Sequence, residues 1–364
     1  MLVDSFIRLT ASFFRACQHV EYEALVRTVL RVLNVSISLA VLGLGSGVTV
    51  LAGAQLTVFS FAFLLSLYLV RERVAKPVFH LSWPSYRGLL KAALPFALCM
   101  GFITIYQRTA TILLSFFKGD EVTGWYSGAG TFGRLFDFIP MSLQGALLPV
   151  MAQFAQKPGK TWQSAYRHSM KYLLVVGLPI ATGLAIRSRQ FVHLLLGEQY
   201  EQSAGILSVL IWALVFSFMN HGASNALISL DGEKTYLKIV GFAAACNVAI
   251  NFVLVPILGP YGAAIAQLLT ECLVLGGQFR ALTVVGRRIA LWQIAAKPLI
   301  SAAVLALVLF AAGEAGLLLA VPLSAAAYVG SLFLLQTFER DEILLMADFA
   351  QSLISRLRFQ RSRS

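Results

Sequence analysis

Residues 93–154 read ALPFALCMGFITIYQRTATILLSFFKGDEVTGWYSGAGTFGRLFDFIPMSLQGALLPVMAQF. Two apolar segments, each long enough to cross a bilayer, meet at a charged turn, Lys118-Gly119-Asp120-Glu121. A spanning helix needs about 20 apolar residues, and both segments meet that length. Inside them sit Arg108, Arg134 and Asp137. An ionisable side chain at the centre of a bilayer costs about 3 kcal/mol or more, so such groups are candidates for function wherever they occur.

The whole chain agrees with this reading. Of its 364 residues 58% are hydrophobic and only 13% charged, and mean hydropathy is +0.76. Soluble domains are about 45–50% apolar and about 25% charged. The composition describes an all-α, polytopic membrane protein. Net charge is +12, which in a soluble chain would suggest nucleic acid; here it follows from basic residues collecting in cytoplasmic loops. Cys17, Cys99, Cys246 and Cys272 show no metal-binding spacing.

About ten transmembrane helices are expected, at roughly 27–45, 49–70, 93–117, 124–153, 170–187, 203–229, 236–257, 261–283, 292–312 and 315–337. Residues 1–14 are too short to span, and form half of a helix or an interfacial segment. Loop charges test the count. With the segment before the first span in the cytoplasm, alternation puts 23 of the 29 basic residues in cytoplasmic loops and flanks and only Lys118, Arg187 and Arg189 in those of the opposite side. A wrong helix count would scramble that asymmetry. The tail 339–364 places Ile343, Met346, Ala347, Ala350, Leu353, Ile354 and Leu357 at helical spacing beside Arg356, Arg358, Arg361 and Arg363. It reads as an amphipathic basic helix on the anionic cytoplasmic leaflet.

The hairpin from Arg27 resembles the one from Thr235. Asn34-Val35-Ser36-Ile37-Ser38 aligns with Asn247-Val248-Ala249-Ile250-Asn251, both turns are glycine-rich, and Gln55 matches Gln267. Repeated lobes of a transporter leave such a trace. The repeat offset implies that roughly 130 residues, about four helices, precede this chain in a complete two-lobed fold, so the N-terminal lobe is expected to be incomplete. The expected organisation is a remnant helix and cytoplasmic loop (1–26), the last helix pair of the N-terminal lobe (27–72), a cytoplasmic connector (73–92), a six-helix C-terminal lobe (93–284), two additional helices (285–338) and the tail (339–364).

Several side chains are candidates for chemistry. Arg108, near mid-span, carries a planar donor fork that suits phosphate and stays charged at working pH. Arg134 and Asp137 are three apart, on one face of one helix, as a local ion pair or as substrate contacts. Gln144, two turns on, extends that face. Asn220, His221, Asn225, Asn247 and Asn251 form a polar set, for interhelical packing or for cavity lining. Glu271, one turn after Gln267, is the lone carboxylate of its span and a coupling-ion candidate, with pairing to a basic group such as Arg108 as the other reading. Pro95, Pro140, Pro149, Pro179 and Pro256 mark bends that free carbonyls. Trp83, Tyr86, Trp125, Tyr126 and Trp162 read as an interfacial aromatic belt.

The order Pro95-Phe96, Ile105-Tyr106-Gln107-Arg108, Val122-Thr123-Gly124-Trp125-Tyr126-Ser127, Ile139-Pro140 and Leu148-Pro149 resembles the polysaccharide-biosynthesis flippase family. That family belongs to the multidrug/oligosaccharidyl-lipid/polysaccharide exporter superfamily. Phe14-Arg15-Ala16 with Glu21-Tyr22-Glu23-Ala24, Leu195-Leu196-Gly197-Glu198-Gln199-Tyr200, and Asn247…Asn251 with Gly259-Pro260-Tyr261-Gly262-Ala263-Ala264 resemble its later elements. The family's Arg-x-Asp is Arg108-Thr109-Ala110 here, without the acid.

The resemblance implies a two-lobed exporter fold of fourteen helices, of which this chain holds the last ten, in a bacterial inner membrane with the C-terminus cytoplasmic. It implies alternating access and a polyprenyl-diphosphate-linked oligosaccharide as cargo, for surface or exopolysaccharide synthesis. The implied substrate contacts are Arg108, Arg134, Asp137, Gln144, Asn247 and Asn251. The implied partners are the lipid-linked oligosaccharide, membrane lipids and the polysaccharide polymerase machinery, with no nucleic acid, metal or cofactor and no enzymatic step. Alternatives are a cation-coupled multidrug exporter of the same superfamily and a non-transporting truncated fragment.

Overall fold

The computed structural model describes the chain except residues 1, 18, 46, 75–82, 156–159, 314–315 and 339–364. Among the described residues the structure is helical, with no strands. The tail and its amphipathic reading lie outside the described residues. The chain divides into two units, Met1–Gly88 and Leu89–Ser364.

In the first unit α1 (Leu2–Ala16) and α2 (Val20–Gly43) pack on α3 (Val48–Leu69), which ends in a π-helical turn, Val70–Val74. The segment before the first expected span is a 15-residue amphipathic helix. Ile7, Val26 and Ala62 form its small core. Beside them Thr10 Oγ1 donates to Ser66 Oγ at 3.0 Å.

The second unit begins within α4 (Trp83–Lys118), which continues unbroken through Pro95. It goes on through α5 (Asp120–Leu135), α6 (Phe138–Ala155), α7 (Lys160–Ile186), α8 (Ser188–Leu196), α9 (Glu201–Leu210), α10 (Trp212–Ile228), α11 (Glu233–Leu258), α12 (Pro260–Val284), α13 (Leu291–Ala311) and α14 (Leu317–Leu334). Gly119, at φ +84°, stops α4 in a backbone conformation that only glycine takes at little cost. Asp120 and Glu121 then sit in the first turn of α5, where the helix dipole favours anions. Ser115 Oγ donates to Asp120 Oδ1 at 2.7 Å and ties the hairpin.

The core runs along α10, which packs against α6, α7 and α12. Trp162, Tyr166, Met170, Leu207, Ile211 and Phe218 are fully buried there. α7 packs in turn on α13, which pairs with α14, and α11 pairs with α12. The α11–α12 turn is tight: a methyl group added at Gly262 would lie 2.3 Å from the Leu254 carbonyl oxygen.

Contacts between helix ends order the loops. At one end Gln163 Nε2 donates to the Arg288 carbonyl at 2.6 Å and the Arg287 guanidinium stacks 5.1 Å from the Trp162 ring centroid, so the start of α7 meets the α12–α13 connection. Lys297 Nζ donates to the Gln336 carbonyl at 2.8 Å, which brings the end of α14 there too. At the other end the buried guanidinium of Arg187 donates to the carbonyls of Gly313 (2.5 Å) and Leu309 (2.7 Å). The carbonyls at the C-terminus of α13 have no intrahelical partner, so this side chain satisfies them and faces the negative end of the dipole. Arg187→Met is expected to lower stability by about 1–3 kcal/mol, read as a lower unfolding temperature of the detergent-solubilised chain.

The span count differs from the sequence reading. Among the described residues eight helices are long and apolar enough to cross a membrane, and nine if Glu198–Leu210 with Trp212–Ile228 counts as one span bent by 45°. The segment expected at 124–153 is two helices, broken at Phe136-Asp137. There the bonds from Phe136 N–H to Gly133 O (3.1 Å) and from Ile139 N–H to Phe136 O (3.0 Å) replace the regular ladder. The aromatic belt also needs correction: Trp162 is fully buried and donates Nε1–H to Ser229 Oγ at 3.0 Å, and Tyr126 is buried as well.

Candidate functional site

Five helices of the second unit enclose a cavity of about 550 Å³. That volume lies within the range of about 300–1,000 Å³ usual for ligand sites. Each wall is one helical face. α4 supplies Gln107, Arg108 and Thr111; α5 supplies Tyr126, Ser127, Gly130, Gly133 and Arg134; Leu207, Leu210, Ile211, Leu214 and Ser217 come from α9, α10 and the bend between them; α12 supplies Gln267 and Glu271. These positions repeat every three or four residues, as a helix facing one space requires. Asp137 joins them from the break after α5.

Four of the ionisable residues singled out in the sequence therefore share one space: Arg108, Arg134, Asp137 and Glu271. Their states differ. Arg108 is exposed and makes no side-chain hydrogen bond or ion pair among the described residues. Arg134 folds back along α5 and donates through Nη2 to Thr131 Oγ1 (2.7 Å) and to the Ser127 carbonyl (3.3 Å). Gly130 makes room for it, since a methyl group there would lie 3.2 Å from Arg134 Nη1.

Arg134 and Asp137 were expected on one face of one helix. The break between α5 and α6 separates them, and no salt bridge within 4.0 Å joins them among the described residues. Glu271 is buried, 5% exposed, and bonded on both oxygens. Asn220 Nδ2 donates to Oε2 at 2.7 Å and Gln267 Nε2 to Oε1 at 3.0 Å. Asn220 Nδ2 also reaches the Glu271 carbonyl at 3.1 Å, so this carboxylate ties α12 to α10. Its partners are amides, not Arg108.

The other three candidates lie elsewhere. Gln144 is on α6 and its Oε1 lies 3.1 Å from His221 Nδ1 on α10, outside the cavity lining. Asn247 and Asn251 are fully buried between α11 and α12. Asn247 Nδ2 donates to Thr270 Oγ1 at 2.7 Å, and Asn251 Nδ2 to Asn247 Oδ1 at 2.9 Å. Their shared face meets a neighbouring helix. Sequence reasoning missed Gln107, Thr111, Ser127 and Ser217 as cavity residues and assigned Tyr126 to the interface. The step from Tyr126 to Gly130, Gly133, Arg134 and Asp137 was the available signal, because it continues the face that carries the charges.

A bundle of long apolar helices around a charged cavity is a multi-pass α-helical membrane protein of exporter architecture. It is similar to the lipid II flippase MurJ in its inward closed conformation: TM-score 0.71 at 12% identity, over 97% of this chain and 72% of that one. At that identity the likeness shows the fold. Residues 1–205 match the family described as "Polysaccharide biosynthesis protein", and the chain belongs to that family. It is similar to a "Putative O-antigen transporter" of Shigella dysenteriae, 27% identical over 58% of this chain and 53% of that protein. It is also similar to an uncharacterized membrane protein of Methanocaldococcus jannaschii, 24% identical over 42% of this chain and 31% of that one. The chain thus spans about half the length of the first relative and about a third of the second.

Proposed function

We propose that this chain serves the translocation of a polyprenyl-diphosphate-linked oligosaccharide across a bacterial inner membrane, for surface or exopolysaccharide synthesis. Family membership and the exporter fold support a transport role. One observation carries the cargo class: Arg108, in a helix long and apolar enough to span the membrane, faces an open cavity with no partner among the described residues. A guanidinium at membrane depth is stable when an anion or water meets it, and its fork matches phosphate oxygens in pairs. The Arg134 guanidinium and the neutral donors of Gln107, Ser127 and Ser217 lie in the same space for the sugar hydroxyls. Asp137 accepts from hydroxyls, and Glu271 is the coupling-ion candidate.

The charged ends support an orientation. The end of the second unit where α7 and α13 begin and α12 and α14 end carries Arg167, Lys171, Arg287, Arg288 and Lys297, and we place it in the cytoplasm with the C-terminus.

The test is complementation of a bacterium that lacks its own oligosaccharide flippase, with polysaccharide quantified at the cell surface. The wild-type chain is expected to restore it. Arg108→Ala, present in the membrane at equal level, is expected to restore about tenfold less, the loss of one charge-assisted phosphate contact. Full restoration by Arg108→Ala removes the diphosphate reading.

A second reading has its own observation. Asp137 and Glu271 line the same cavity as the two arginines, which would suit a cation-coupled exporter of small drugs. Efflux of cationic dyes with no change in surface polysaccharide would select it.

A further inference from the structure

Two amides hold the Glu271 carboxylate, and they are not held alike. Asn220 of α10 is fixed. Its Nδ2 donates both to Glu271 Oε2 (2.7 Å) and to the main-chain carbonyl of the same residue (3.1 Å). Turning that amide over would set Oδ1 against the carbonyl oxygen, acceptor against acceptor. Gln267, one turn before Glu271 on the same face of α12, has no such anchor. Its Nε2 donates to Glu271 Oε1 at 3.0 Å and its side chain lines the cavity. Its own Oε1 accepts no hydrogen bond among the described residues. An amide carries a donor end and an acceptor end of nearly the same shape, so Gln267 can turn over where Asn220 cannot.

The site also selects its ion. Both carboxylate oxygens face N–H hydrogens. A hard metal cation takes oxygen ligands and is repelled by such donors, whereas a proton needs a single acceptor. The charged groups that share the cavity are Arg108 of α4, Arg134 of α5 and Asp137. Tyr106 of α4 and Tyr236 of α11 are further titratable groups near the carboxyl, and Cys272 follows it in α12. The α9 lining, Leu207 and Leu210, brings none. On α10 His221 turns to Gln144. None of these groups bonds the Glu271 carboxyl among the described residues; its partners are Asn220 and Gln267. An acid O–H on Oε1 therefore finds its acceptor in Gln267 Oε1, once that amide has turned.

We propose that Gln267 is a two-state switch that couples the cavity to one proton on Glu271, a reading that rests on the coupling role proposed above for that carboxyl. With Glu271 charged, Nε2 of Gln267 donates to it and the amide oxygen is left for the cavity. A proton from cavity water on Glu271 Oε1 makes the carboxylate an acid; the amide turns, its oxygen accepts from the acid O–H, and its N–H donors are released to the cavity for an anionic group. One side chain thus offers an acceptor in one state and donors in the other.

The experiment is acid-minus-base infrared difference spectroscopy of the full chain, purified and reconstituted in lipid vesicles. The wild-type chain is expected to gain a carboxylic acid band on acidification, which Glu271→Gln lacks. A glutamine amide carbonyl band is expected to move to lower frequency with it. That movement should be absent from Glu271→Gln and from Gln267→Met, while Gln267→Met keeps the acid band and so reports an intact site. Isotope-labelled glutamine identifies the amide band in the wild-type chain without any variant. An acid band with the amide band unmoved, or moved to higher frequency, means that the amide does not turn and overturns the proposal. So does the absence of the acid band. Sodium added at constant pH should change neither band; loss of the acid band to sodium would make the ion a metal and overturn the proton assignment. The infrared readout contains no cargo, so it decides the switch even if the wild-type chain fails to restore surface polysaccharide, which would overturn only the oligosaccharide reading.

Discussion

Gly262→Ala is expected to prevent the second unit from assembling. The added methyl carbon would lie 2.3 Å from the carbonyl oxygen of Leu254 and 2.7 Å from its carbonyl carbon. Both are main-chain atoms of α11, so no rotamer change relieves the clash; one helix must move against the other. The α11–α12 pair holds the Asn247–Thr270 bond at 2.7 Å and carries Glu271 to the cavity. Displacing it costs packing along both helices, more than about 3 kcal/mol. The measurement is the monodisperse peak of a fluorescent fusion on size exclusion, which should vanish. Gly276→Ala, on the same helix but with open space around it, is the control and should leave the peak intact.

Glu271→Gln is expected to leave the protein folded and to lower surface polysaccharide in the complementation assay at least about tenfold. Glutamine keeps the bridge to α10. Its carbonyl accepts from Asn220 Nδ2, and its amide donates to Gln267 once that side chain turns over. What it cannot do is gain and lose a charge as a coupling ion requires. Glu271→Leu removes both functions: it leaves the Asn220 and Gln267 donors without their acceptor and should also lower the unfolding temperature, by about 1–3 kcal/mol of stability. Full transport by Glu271→Gln would reduce the carboxylate to a strut between α10 and α12, and the coupling proposal would be withdrawn.

The membrane class and most helix positions were legible because hydropathy is a sum over some twenty side chains, and single errors average out. Helix direction is not such a sum. The break at Phe136-Asp137 interrupts an apolar run without lowering its hydropathy; the local sign was Asp137 followed by Pro140, an acid before a proline in the first turn of a new helix. The bend at Ile211 has no glycine or proline at it, and nothing in the run WALVFSF after it marks a change of course. Arg108, Arg134, Asp137 and Glu271 stood out because charge at membrane depth is rare. Ser127 and Ser217 did not, because a hydroxyl in a spanning helix serves a neighbouring helix as readily as a cavity. Asn247 and Asn251 show the same limit. Their common face was correct, but periodicity does not say what a face meets, and here it meets Thr270.

The break between α5 and α6 also bears on how the cavity is inherited. The lining described for it, from Gln107 to Glu271, lies in the second unit. A chimera that takes only 107–137 from another member would transplant two arginines and an aspartate as one cassette, with the break at its end. On the proposed function, any preference that Arg108, Arg134 and Asp137 set should move with that cassette, which makes thirty-one codons the natural unit for a swap library.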